Sequence, residues 1–77
     1  MQHDNQAPLR ILRRREVAQR TGRSVASIYR DMGRGAFPAA VPLSETSVGW
    51  LEHEVENWIE ARIAERDAKL AERDAAG

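Results

Sequence analysis

Glycine and proline punctuate the first fifty-one residues so often that no long element fits there. Gly22, then Gly33 and Gly35, then Pro38 and Pro42 leave only short stretches between them, whereas neither residue interrupts the chain from Glu52 to Asp74. A chain with this punctuation is restricted to short helices and tight strands followed by one long helix.

The stretch Arg14 to Gly22 reads as a short helix with Val17 and Ala18 as its apolar stripe, ended by Gly22 in a left-handed conformation. Ser24 offers a hydroxyl to cap a second helix from Val25 to Met32. In that helix Ile28 and Met32 stand four apart and face the core, while Arg30 and Asp31 point elsewhere. Two short helices joined by a glycine-containing turn form the helix-turn-helix pattern. Phe37 to Leu43 is too rich in proline for a helix and reads as an edge strand. Ser44 to Ser47 makes a turn, and Val48 to Leu51 returns as a second strand, so the hairpin reads as a wing. In the last helix Val55, Trp58, Ile59, Arg62 and Ile63 recur at helical spacing. The segment Ala64 to Ala68 is repeated as Ala71 to Ala75, too few copies for a coiled coil, and reads as a solvated tail.

The expected fold class is therefore mainly α with a small β-hairpin, a winged helix-turn-helix with the C-terminal helix packed on its core. Residues 1–8 are expected to be a flexible arm, 9–66 the folded domain and 67–77 a polar helical tail. A chain of 77 residues holds one small core. We expect that core from Val17, Ala18, Ile28, Met32, Phe37, Val41, Val48, Trp50, Val55, Trp58, Ile59 and Ile63.

Composition narrows the function. There is no cysteine, and His3 and His53 lie far apart, so neither a disulfide nor a zinc site is expected, and no cofactor. No apolar run is long enough for a membrane span and the N-terminus lacks a secretory signal, so we expect a soluble, cytoplasmic protein. The chain carries no nucleophile elbow, P-loop or paired catalytic base, and an enzyme is not expected.

The net charge of zero conceals a segregation. Residues 1–35 hold eight arginines against Asp4, Glu16 and Asp31, a balance of +5, and residues 36–77 carry −5. A basic half joined to an acidic half suits a protein with one face for a polyanion. A helix fits the major groove, its first turns meeting base edges while neighbouring cations hold phosphates. The candidate DNA-binding residues are Arg13, Arg14, Arg15, Arg23, Ser24, Val25, Ala26, Ser27, Tyr29, Arg30 and Arg34. Arg30 is suited to guanine, Ser27 to a base or phosphate, and Val25 or Ala26 to a thymine methyl group. The remaining arginines, with Arg10 and Arg20, suit the backbone.

One pattern is more specific than the helix-turn-helix. Arg15-Glu16-Val17-Ala18, Thr21-Gly22, Ser24, Ser27-Ile28-Tyr29-Arg30, Gly35, Phe37-Pro38, Val48-Gly49-Trp50, Glu54-Val55 and Trp58-Ile59 follow one another across about residues 10–66. This series resembles the AlpA family of small phage and prophage regulators, related to MerR-type and excisionase winged helices. The resemblance implies a winged helix-turn-helix that binds operator DNA and regulates transcription. It differs from the family's usual pattern at Arg23, where a hydrophobic residue is common, and at Val25, where arginine is common. It also differs in the wing, which has no cation between Phe37 and Leu51. Binding is therefore expected to rest on the helices and the arginine-rich approach to them. Double-stranded DNA is the expected partner, bound by a homodimer or higher assembly on repeated half-sites, with an integrase or RNA polymerase as a protein partner. An excisionase-like architectural role uses the same fold, and a protein-interaction adaptor docking through the acidic helix is the alternative from another class.

Overall fold

A computed structural model describes residues 9–76, so the expectation for the N-terminal arm lies outside the described residues. The order is β1 (Ile11–Leu12), α1 (Arg14–Thr21), α2 (Val25–Gly33), β2 (Val41–Pro42), β3 (Val48–Leu51) and α3 (Glu52–Ala76). The mainly helical class with a small sheet is as expected, and so is the tight junction of the first two helices. Gly22 closes α1 at φ 71°, donating its N–H to the Ala18 carbonyl at 2.9 Å. A side chain at this φ would be strained, which is why glycine suits the end of α1. Thr21 secures the same turn, its hydroxyl donating to the Val17 carbonyl at 2.8 Å and accepting from the Arg23 N–H at 3.3 Å. Ser24 then caps α2, its Oγ accepting from the Ser27 N–H at 3.1 Å.

The sheet has three strands, one more than the hairpin read from the sequence. Its order is β1-β3-β2, antiparallel throughout, with Leu12 opposite Trp50 and Val41 opposite Gly49. Gly49 allows β1 to approach: a Cβ there would collide with the Ile11 side chain and lie 3.0 Å from the Leu12 carbonyl oxygen. The wing strand is also shorter than the expected 37–43, because both tryptophans hold its first part in another shape. Trp50 Nε1 donates to the Pro38 carbonyl at 3.1 Å and Trp58 Nε1 to the Ala36 carbonyl at 2.9 Å. Between those anchors Phe37 is buried, edge-on to Trp58 at 5.0 Å between ring centres.

The core is Leu12, Val17, Ile28, Phe37, Trp50 and Val55, with Ala18, Met32, Ala40, Val48, Trp58 and Ile59 packed around it. Leu12, which the sequence reading omitted, is fully buried, while Val41 is only half-buried and lies outside this cluster. Ile63 was expected in the core but is 44% exposed. The spacing that places it on the buried face of α3 is real, but from Glu60 to Ala75 every residue of the helix is exposed. α3 runs on past the body it packs against.

Candidate nucleic-acid interface

α2 presents a sharply divided surface. Ile28 is 2% exposed and Met32 half-buried, so these hold the helix on the core. Val25, Ala26, Tyr29, Arg30 and Gly33 are exposed, and their spacing puts them on one outward face. Tyr29 serves both sides, 38% exposed while its ring meets Trp50 edge-on at 6.0 Å.

Asp31, expected to point away from the core, is instead 5% exposed. Arg23 reaches its Oδ2 at 2.6 Å and Arg34 its Oδ1 at 2.9 Å. Burial pushes the Asp31 carboxyl up, but the hydrogen bonds and charges of Arg23 and Arg34 outweigh it and hold the carboxyl below its ordinary value of 3.8. Two consequences follow from this one residue. The only carboxylate of α2 is withdrawn from the outward face, and the turn before α2 is tied to the chain after it.

The outward polar side chains are pre-arranged. Ser24 Oγ donates to Ser27 Oγ at 3.0 Å, and Arg30 Nη2 donates to the same Ser27 Oγ at 3.3 Å. This small network holds the Arg30 guanidinium along the helix surface.

The arginines of the basic half fall into three groups. Arg10 and Arg20 are committed to α1 and α3: Arg10 pairs with Glu52 at 3.1 Å, and Arg20 with Glu52 at 2.9 Å and Glu16 at 3.2 Å. Burial pulls the Arg20 guanidinium down, but Glu52 and Glu16 more than offset this and raise it above its ordinary value. Arg23 and Arg34 serve Asp31, and Arg23 also lies 5.9 Å from the centre of the Trp58 ring. Arg13, Arg14, Arg15 and Arg30 form no ion pair among the described residues. Three of these four crowd the start of α1, where Arg13 holds the capping position and supplies no side-chain cap. Cations there oppose the helix dipole by about 0.3–1 kcal/mol each. An anion bound there would relieve that unfavourable placement.

The structure thus brings Ser24, Val25, Ala26, Ser27, Tyr29 and Arg30 together on or beside the outward face of α2. It sets Arg13, Arg14 and Arg15 at the start of α1, and separates Arg23 and Arg34 from both by engaging them with Asp31. Sequence spacing had no signal for the Arg23 contact, since Arg23 and Asp31 lie in different elements, whereas Arg34 stands at the i,i+3 position from Asp31. The wing offers Glu45 and no cation. Among the described residues no group of three or more His, Cys, Asp or Glu could hold a metal, and no helix is long and apolar enough to cross a membrane.

Comparison with known proteins bears on this arrangement. The uncharacterized protein ORF88 of Enterobacteria phage P4 is 42% identical over 57 residues, covering 74% of this chain and 65% of that protein. The DNA-binding transcriptional activator AlpA of Escherichia coli K12 is 35% identical over 65 residues, covering 77% of this chain and 93% of that protein. The chain therefore spans just under two-thirds of the phage P4 relative and nearly all of the E. coli one. No solved structure matches it. The family described as prophage CP4-57 regulatory protein (AlpA) matches residues 10–63, the stretch that runs from the start of the sheet to just past Ile59, the last half-buried residue of α3. The chain belongs to the AlpA family of prophage regulatory proteins.

Proposed function

We propose that the protein binds double-stranded DNA sequence-specifically and regulates transcription for a phage, prophage or mobile element, with α2 lying in the major groove. The observation that carries this reading is the outward face of α2: exposed Val25, Ala26, Tyr29 and Arg30, with the helix's one carboxylate turned inward and neutralised. A groove about 12 Å wide accepts such a helix. Arg30 is suited to donate in parallel to guanine O6 and N7, Ser27 to bond a base edge or phosphate, and Val25 or Ala26 to meet a thymine methyl group. Arg13, Arg14 and Arg15 then take the flanking phosphates and position the helix without reading sequence. The name of the E. coli relative, a DNA-binding transcriptional activator, supports the same reading.

A single module of this size covers only about 600–1,000 Å2 of DNA-facing surface, so tight binding calls for two or more copies on neighbouring half-sites. The role is binding and not catalysis. Mobility-shift titration on DNA from upstream of its own gene tests the proposal, with one segment expected to be retained preferentially over bulk DNA at moderate salt. Retention of all segments alike would refute sequence-specific regulation.

A further inference from the structure

We propose that the exposed half of α3 is a second DNA-backbone contact, formed by Arg62, Arg66, Lys69 and Arg73; this rests on the DNA-binding reading above and extends it to a region outside the helix-turn-helix. The C-terminal part of the chain is acidic in total, but its charges are divided by face. At about 100° per residue the four cations fall within a sector of roughly 60°. Val55 and Ile59, which pack on the body, lie on or next to that same sector. Glu60, Asp67 and Asp74 fall on one side of it and Glu65 and Glu72 on the other. The face of α3 that is apolar against the body therefore becomes basic where the body ends.

The position of this change is what directs it toward DNA. A groove of about 250 Å3, lined by Arg20, Thr21, Ile59, Arg62 and Arg66, marks where α3 leaves α1. Thr21 is three residues from Ser24, the cap of α2, at most about 11 Å of extended chain. The basic stripe thus starts beside the turn that leads into the recognition helix and runs on for about 16 Å, enough for several phosphates of one strand. Its present counter-charges are weak competitors. Arg62 lies 3.6 Å from Glu65 and Arg66 2.9 Å from Asp67, all exposed neighbours on one helix. Lys69 and Arg73 form no ion pair among the described residues. A second copy of α3 fits this face poorly, because a two-fold contact along it would set the same four cations against their own copies.

The test replaces three exposed residues and spares Arg62, which lies 5.3 Å from the Trp58 ring centre. Arg66→Gln, Lys69→Gln and Arg73→Gln together are compared with the full wild-type chain on its selected DNA site, in a long duplex and in one trimmed to the bases that α2 reads. On the long duplex the salt-dependence slope is expected to fall by about 2–3, which makes the wild-type advantage shrink by roughly 40-fold between 50 and 200 mM salt. On the trimmed duplex the two proteins bind alike, and both select the same sequence. An unchanged slope on the long duplex overturns the stripe while leaving the α2 reading intact. The absence of any preferred sequence for the wild type overturns both. Sedimentation gives the other outcome: if the wild type is a dimer that the triple variant dissolves, with the single-site slope unchanged, the stripe binds a second copy and the proposal fails.

Discussion

The α1–α2 unit and the wing both stand on Trp50, yet they are built for different work. Ahead of Trp50, the outward face of α2 carries an arginine that donates to Ser27, and the start of α1 carries three more that form no ion pair among the described residues. Beside Trp50, the wing is a two-residue edge strand ending in Pro42, with Leu43 exposed and no cation in the whole hairpin. The winged helix-turn-helix fold alone would allow both regions to meet DNA. Charge separates them: phosphate neutralisation supplies most of the sequence-independent affinity, and of these two regions only the helical unit carries the cations that the proposed reading needs. A winged helix-turn-helix can thus keep its wing as a structural brace for the loop carrying Phe37 and leave recognition to its helices.

The largest expected effect removes the support the two regions share. Trp50→Ala should cost about 3–5 kcal/mol of folding stability, enough to unfold most of so small a domain, read by loss of helical circular dichroism. If the variant kept its fold, the wing and the helices would not depend on a common core.

Asp31→Asn should come next. It removes the negative charge that Arg23 and Arg34 share and turns one of the two accepting oxygens into a donor, and it lowers the melting temperature at neutral pH. Since folding depresses the Asp31 value, its contribution is complete above the ordinary 3.8 and is lost as pH falls through the lower folded value. Wild type and variant should therefore converge in stability in acid, and an equal gap at every pH would contradict the ion-pair account.

Arg30→Ala should weaken binding to the selected site by about 1–3 kcal/mol and relax one base position, measured by titration against single-base variants of the site. Ser24→Ala should cost about 1 kcal/mol of stability through the lost cap, a melting shift of about 4–8 °C. The smallest effect should come from the wing: Glu45→Gln should change DNA affinity by less than about 0.5 kcal/mol. A large loss there would make the wing an equal partner and erase the distinction.

Much of this was legible in the sequence, for physical reasons that also explain the failures. Gly22 and Ser24 announce the turn and the cap because backbone geometry admits few other residues there. Strand β1 left no trace, since two residues cannot display an alternating pattern, and so the fully buried Leu12 went unnoticed. Ile63 was placed in the core because helical spacing reports which face a residue occupies and not how far the opposing body extends. Summing charge by halves gave a similar error. Arg10 and Arg20 of the basic half are spent on Glu52 of the acidic one, and the acidic half carries its own line of cations on α3. At the outward face of α2 the residues were readable one by one, but the neutralisation of Asp31 requires contacts that only the folded chain creates.

The most direct measurement is a selection of bound duplexes from a random pool, run in parallel for the wild type and Arg30→Ala. One enriched motif for the wild type, kept by the variant except for tolerance at a single guanine, is the predicted result. Identical motifs from both proteins, or none from the wild type, would contradict reading of bases by the exposed face of α2.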